Sequence, residues 1–248
     1  MNPPIEQRLH VVLSLIASHR ALWAFVSWPL FSFTSYMMVS RLLRQGLAPR
    51  TVLDIGANAG QFTVTAAKLF SGVTVHSFEP IPSVVRELAR NVRTLHNVRV
   101  HPMALGDTDG HVEFHVNTHS HSSSILKLGQ AHLTAFPDAT EQKTISVPVS
   151  TLDNALANVR LVRPALLKVD VQGYEMRVLA GAKHALKQMD YVILESSFRP
   201  LYEGELLFMD LVEAMIQRGF TFLRPVGSLC HPGTGEVLQI DALFGRRD

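Results

Sequence analysis

Thr51-Val52-Leu53-Asp54-Ile55-Gly56-Ala57-Asn58-Ala59-Gly60-Gln61-Phe62 decides the fold. A β-rich run, Thr51–Ile55, ends in an acid-bearing turn. The loop has glycines four apart and opens a helix over Gln61–Leu69. Gly56 permits a sharp turn and close approach of a ligand, and Gly60 lets the helix start pack against the sheet. In an open α/β sheet the ligand lies beyond the carboxyl ends of the strands, where this loop stands.

The same rhythm continues downstream. Val73–Phe78, Val98–Met103, Leu166–Val169 and Tyr191–Leu194 read as strands. Ser83–Leu95, with Ser83 as cap, Tyr174–Lys187 and Leu206–Arg218 read as helices. Alternating β and α elements give a parallel sheet with helices on both faces. Phe220–Leu223 and Val237–Phe244 are joined by Arg224–Glu236, rich in Pro and Gly, so they are expected to pair antiparallel. The fold class is therefore α/β, mostly parallel. Residues 107–150 break the rhythm as an insertion with strands at His111–Val116 and Thr144–Val149 and a helical stretch near 126–135.

Residues 1–49 read as an N-terminal helical extension, and 50–248 as the main domain. Ala21–Ser40 holds twenty residues without a formal charge, but Pro29 and five Ser or Thr residues interrupt it. Three readings stand: helices that cap the domain or form a homo-oligomer interface, peripheral membrane contact through residues 1–45, and a membrane span. The cap leads. Residues 1–50 carry five Arg against Glu6, a local charge of +4 in a chain of net +2.

The 248 residues are 47% hydrophobic, which excludes global disorder. Cys230 is the single cysteine, so neither an intrachain disulfide nor a cysteine-based zinc site can form. The small net charge argues against a nucleic-acid binder. A cytoplasmic location fits, with membrane association left open by the N-terminus.

Dinucleotide folds favour G-x-G-x-x-G, whereas this loop is G-x-x-x-G with Asn58 at the middle glycine position. Asp54 would face a pyrophosphate unfavourably but suits a ligand with an ammonium group, such as S-adenosylmethionine. Glu79, at the end of the second strand, can accept bonds from both ribose hydroxyls.

Further blocks stand in order: Phe78-Glu79-Pro80, Ala104-Leu105-Gly106-Asp107, Ser122–Ser124, Val149-Ser-Thr-Leu-Asp153, Leu167-Lys-Val-Asp-Val-Gln-Gly-Tyr-Glu175, Val178-Leu-Ala-Gly-Ala182 and Asp241–Phe244. With the first loop they resemble the FkbM family of S-adenosylmethionine-dependent methyltransferases over residues 50–245. The resemblance implies a class I methyltransferase sheet of seven strands in the order 3-2-1-4-5-7-6. It also implies methyl transfer to a hydroxyl of a sugar, glycan, glycolipid or secondary metabolite. Many members have Glu where Gln172 stands, and Gln cannot act as a base.

The expected cofactor residues are Asp54, Gly56, Ala57, Asn58, Gly60, Phe62, Glu79, Pro80 and Ala104. Asp170, at the end of the fourth strand, is first choice to orient or deprotonate the acceptor, unless it only pairs with Lys168 two residues away. Glu195 ends the fifth strand and could face the acceptor. His121, in the His119–Ser124 loop, is a further candidate base. Glu175 should stand behind the site. His115, His119 and His121 lack a supporting ligand set, so no metal is expected. The competing classes are a nicotinamide-dependent oxidoreductase or epimerase, and a non-catalytic scaffold.

Overall fold

The computed structural model describes residues 19–117, 124–126, 141–202, 204–231 and 233–247. Helices α1 (His19–Ser27) and α2 (Phe33–Arg44) precede β1 (Thr51–Ile55), α3 (Gln61–Leu69), β2 (Thr74–Phe78), α4 (Pro82–Val92) and β3 (Val98–His101). Then come β4 (Ala104–Gly106), β5 (Gly110–Asn117), β6 (Glu141–Thr151), α5 (Leu152–Ala155), β7 (Ala165–Val169), α6 (Glu175–Ala180) and α7 (Lys183–Leu186). The chain closes with β8 (Tyr191–Ser197), α8 (Phe208–Gln217), β9 (Phe220–Cys230) and β10 (Val237–Arg246).

The main sheet has seven strands in the order β3-β2-β1-β7-β8-β10-β9. This is the order the family resemblance implies. β3, β2, β1, β7 and β8 run parallel, and β10 is antiparallel to both β8 and β9. β1 is buried along its whole length because helices cover both sides. Its side chains alternate between two cores. Val52 joins Val75, Leu166 and Ile193 under α1–α4. Leu53 and Ile55 join Leu167, Val169 and Leu194 on the opposite face, with Val178 and Met215 of α6 and α8.

The Ala21–Ser40 run is split at Trp28–Ser32, around Pro29. Ser32 then caps α2 by accepting from the Ser35 N–H at 3.3 Å. α2 buries Tyr36, Met38, Val39 and Leu42 against the sheet's core. Arg41 Nη1 donates to the Val226 carbonyl at 3.0 Å, tying α2 to β9. Among the described residues no helix is long and apolar enough to cross a membrane.

Several element boundaries differ from the sequence reading. α4 starts at Pro82, with Ile81 rather than Ser83 at the cap position. Proline suits the first helical turn because its missing N–H has no partner there anyway. The helix expected over Tyr174–Lys187 is two helices, broken at Gly181. A Cβ there would collide with the Gly106 carbonyl oxygen, so β4 passes directly against it. Asp153 restarts the chain as α7 by accepting from the N–H groups of His184 (3.0 and 2.9 Å) and Ala185 (2.7 Å). Three of the family blocks thus meet at one junction.

The insertion is a second sheet, β4-β6-β5, whose Phe114, Val147 and Val149 pack on Ile81 and Val84 at the start of α4. The helical stretch expected near 126–135 lies almost wholly outside the described residues. Finally, Arg224–Cys230 is strand rather than connection. β9 accommodates Pro225 beside a register shift between Asp241 and Ala242, where no ladder N–H is required.

Candidate active site

The first loop is bound to the end of β2. The N–H groups of Gly56 and Ala57 both donate to the Phe78 carbonyl at 3.0 Å. Asn58 N–H donates to Glu79 Oε2 at 3.0 Å, and Ile81 N–H to Glu79 Oε1 at 2.9 Å. Asn58 has φ 49°, a left-handed conformation that Asn tolerates, and its side chain accepts from the Ala59 N–H at 2.7 Å. Gly56, at φ 81°, lies so close to β7 that a Cβ would meet the Asp170 carbonyl oxygen. Its freedom is therefore used for strand contact. Gly60, at φ 100°, packs against Leu88 of α4 rather than the sheet, correcting the sequence reading.

Asp54 is fully buried. Its Oδ2 accepts from the Thr63 hydroxyl at 2.6 Å, and Thr63 also meets Ser77 at 2.7 Å. Its Oδ1 is buried with no hydrogen-bond partner. Burial pushes the Asp54 carboxyl up, against the pull of Lys168. Glu79 is 4% exposed, and burial pushes it up to about 7 despite its two backbone donors. Pro80 is buried beside it, and Ala104 lies in β4 against Ile81 and Val84. Phe62 is buried in the core with Lys168 Nζ 5.5 Å from its ring centroid.

Lys168 links this half of the site to the other. It is 5% exposed and stands beside Asp54 in the β1–β7 register. Its ammonium donates to Asp170 Oδ2 at 2.7 Å. Burial alone would push the ammonium down, but the charges of Asp170, Asp54 and Asp241 overcome it and raise its proton affinity. Asp241 sits opposite Glu195 in the β8–β10 pairing. Gly227 makes room for it, since a Cβ there would strike Asp241 Oδ2. Burial pushes Asp241 up to about 6 against the opposing charge of Lys168.

Asp170 and Glu195 meet through Gln172. Its Nε2 donates to Asp170 Oδ1 at 2.8 Å and to Glu195 Oε2 at 2.6 Å, while the Tyr202 hydroxyl donates to its Oε1. Burial, then the charges of Asp170, Glu175 and Asp241, push Glu195 well up. Burial, then the charges of Glu195, Asp170, Glu175 and Glu205, push Tyr202 up, so it remains a phenol and a donor.

Glu175 is buried behind the turn and accepts from Val171 N–H (3.1 Å) and Gly173 N–H (3.2 Å), both on Oε1. Ser124 ties the insertion on by donating to the Gln172 carbonyl at 2.7 Å. His119, His121, Ser122 and Ser123 lie outside the described residues. Among the described residues no group of three or more His, Cys, Asp or Glu side chains is arranged to hold a metal ion.

Sequence reasoning singled out Asp54, Glu79, Asp170 and Glu195. The structure sets Asp54, Glu79 and Asp170 at or just beyond strand ends. Glu195 lies within β8, which continues through Ser196 and Ser197 in pairing with β10 rather than ending at Glu195 as the sequence suggested. It missed Thr63, Ser77, Tyr202 and Asp241 as members of the network, and treated Gln172 only as a departure. Asp241 had a signal, as the first residue of a family block. Tyr202 had none, because it reaches the site from a loop.

A mostly parallel sheet with this strand order, and carboxylates toward the strand ends flanking a glycine loop, defines the class I methyltransferase fold. The match extends to the sequence. The Methyltransferase FkbM domain model covers residues 54–222, and the chain belongs to that family, whose cofactor is S-adenosylmethionine. It is 29% identical over 161 residues to the 2-O-methyltransferase NoeI of Sinorhizobium fredii, covering 62% of this chain and 66% of that protein. It is 32% identical over 170 residues to the 31-O-demethyl-FK506 methyltransferase FkbM of Streptomyces tacrolimicus (58% and 64%). Against the hexuronic acid methyltransferase AglP of Haloferax volcanii it is 26% identical over 170 residues (68% and 65%). The chain thus spans slightly less than two thirds of the length of each of these relatives.

The residues fit that cofactor. Asp54 Oδ1 is an acceptor without a donor, an arrangement costly to bury and satisfied by an ammonium group or a water held by it. Each Glu79 oxygen accepts one backbone N–H and retains capacity for a ribose hydroxyl.

Glu175 gives a direct test of the electrostatics. Burial pushes it up to about 8. The folded state therefore holds its proton more tightly than the unfolded chain, and stability is lost as pH rises from about 4.5 through 8. Glu175→Gln keeps an oxygen for both N–H donors and removes the ionisation. Urea unfolding should show the variant gaining on the wild type by about 3 kcal/mol between pH 5 and pH 8. Parallel pH–stability curves would contradict this.

Proposed function

We propose that the chain is an S-adenosylmethionine-dependent O-methyltransferase acting on a hydroxyl of a sugar, glycan, glycolipid or secondary metabolite. The observation that carries the reading is the direct backbone contact between Gly56 and Asp170. It sets the cofactor loop against the carboxylates that would receive an acceptor hydroxyl. Two of the relatives' names specify oxygen as the atom methylated, and two name the molecule acted on, FK506 and hexuronic acid.

When bound, the cofactor supplies an electrophilic methyl group on a sulfonium. The chain contributes position and a proton acceptor. Glu79 would hold the ribose hydroxyls, and Asp54 the ammonium end. Lys168 fixes Asp170 as a charged acceptor for the substrate's O–H, which aligns the oxygen for attack. Glu195 has a raised proton affinity and stands on the other side of Gln172, so it is the side chain suited to take the hydroxyl proton.

The test is mass-spectrometric detection of methylated product from a panel of neutral glycosides, uronic acid glycosides and macrolide alcohols. Asp170→Asn and Glu195→Gln should each lower kcat on the best acceptor about 100-fold or more, with the KM for the cofactor little changed. Wild-type rates in both variants would exclude these roles. No methylated product from any acceptor would count against the activity.

We further infer that α1 is the site of the peripheral contact. Leu22, Trp23, Phe25 and Val26 are 49%, 65%, 59% and 77% exposed on one short helix, beside an Arg-rich segment. Such a face suits an anionic lipid surface, reached from the cytoplasm. Trp23→Ser with Phe25→Ser should reduce co-sedimentation with phosphatidylglycerol vesicles about tenfold. Unchanged co-sedimentation would exclude the lipid contact. So would a vesicle-independent dimer, seen by ultracentrifugation and lost in the variant, which would make the face a homo-oligomer interface instead.

A further inference from the structure

Gln172 occupies a backbone conformation that its side chain does not favour. Its φ is +58°, in the left-handed region that a non-glycine residue rarely adopts. The surrounding structure enforces this turn from several sides. Glu175 takes the N–H groups of Val171 and Gly173. Ser124 takes the Gln172 carbonyl. Gly173, at φ 92°, is pressed by Tyr202, Glu205 and Leu126 so closely that a Cβ would crowd all three. A strained position held by this many contacts points to a side chain whose direction matters.

That direction is into the gap between Asp170 and Glu195. One NH2 group serves both carboxylates, one hydrogen to each. The amide cannot turn over, because its oxygen would then face two carboxylates and the Tyr202 hydroxyl would lose its acceptor. Every group on the amide is therefore committed.

We propose that Gln172 is a positioning residue: a neutral bridge that holds the Asp170 and Glu195 carboxylates as hydrogen-bond acceptors on two sides of one amide, aimed at the substrate hydroxyl. The proposal rests on the methyltransferase reading for its consequence in catalysis, and on geometry alone for the bridge. Neutrality is the operative property. Glu195 already faces Asp170, Glu175 and Asp241, with Lys168 as the opposing charge and Tyr202 as a neutral donor nearby. A glutamate at 172 would place a further carboxyl between two others. Charges at this separation repel strongly in a half-buried site, so three carboxyls would hold a proton to higher pH than the existing pair does. With Gln172, an amide meets both carboxylates without adding charge, and Glu195 is released to act as base at lower pH.

The experiment has two arms. In the first, carbon-13 carboxyl NMR of glutamate-labelled protein follows the titration of Glu195, assigned with Glu195→Gln, in wild type and in Gln172→Glu. The Glu195 midpoint should rise by about one pH unit or more in the variant. An unmoved midpoint overturns the proposal whatever the enzyme does. In the second, the pH profile of kcat/KM is measured for both proteins on the best acceptor. Its acidic limb should move upward in parallel with the NMR midpoint. A moved midpoint with an unmoved limb overturns the catalytic role.

Tyr202→Phe guards against a folding defect in Gln172→Glu. It adds no charge and removes the donor that fixes the amide, so it should lower kcat severalfold with KM nearly unchanged and no shift of the limb. Full kcat in this variant would also overturn the proposal. If wild type bound cofactor but methylated nothing, the methyltransferase reading would fail while the NMR arm still decided the bridge.

Discussion

A lysine ammonium buried in the middle of a β-sheet is the constraint on which this structure turns. Lys168 is inside β7, and desolvating its charge without compensation would cost several kcal/mol. Compensation has to come from neighbours on the same face. The strand order supplies it. β1 brings Asp54 alongside, the end of β7 brings Asp170, and β10, returning antiparallel beside β8, brings Asp241 opposite Glu195. The sheet's reversal of direction at its edge is thus what lets acids from four strands converge at one end. Burial raises the proton affinities of Asp54, Asp241 and Glu195, and repulsion from neighbouring carboxylates adds to it. Raised proton affinity is what a carboxylate needs to take a proton from a hydroxyl near neutral pH.

Backbone approaches place this charge cluster relative to the cofactor loop. Gly56 touches the backbone at Asp170, so β1 and β7 end in one crevice rather than two. Gly106 and Gly181 do the same for the second sheet, drawing β4 under the break between α6 and α7. β4 packs through Ala104 on Ile81 and Val84, and the Ile81 N–H holds Glu79. Ser124 carries the insertion across to the Gln172 turn. In each case a residue without a bulky side chain, or a short hydroxyl, lets one chain segment press on another, and the site is the sum of these contacts.

Much of this was legible in the sequence, for physical reasons. β1 and its loop were clear because a buried parallel strand is a short apolar run, and its glycines stand where the turn needs them. Asp54, Glu79, Asp170 and Glu195 were legible because the carboxyl-end halves of the strands in such a sheet carry the chemistry, although β8 runs two residues past Glu195. The remainder depended on tertiary contacts. The break at Gly181 follows from the Gly106 carbonyl, which lies 75 residues earlier in the chain. Arg224–Cys230 looked like a connection because Pro225 and Gly227 deter strand. A register shift tolerates Pro225, and the Asp241 carboxylate requires Gly227. Ser83 yielded to Pro82 as the start of α4 because a preset φ favours the first turn. Gln172 looked like a lost charge, and only the geometry shows both its donors in use.

The central claim is that the loop and strand-end carboxylates form a site for S-adenosylmethionine. Calorimetric titration with S-adenosylhomocysteine, with NAD as control, tests it most directly. The account predicts micromolar binding of the first ligand alone, abolished or strongly weakened in Glu79→Ala and Asp54→Asn variants that remain folded. Absence of binding to folded wild-type protein, or equal binding of NAD, would contradict it.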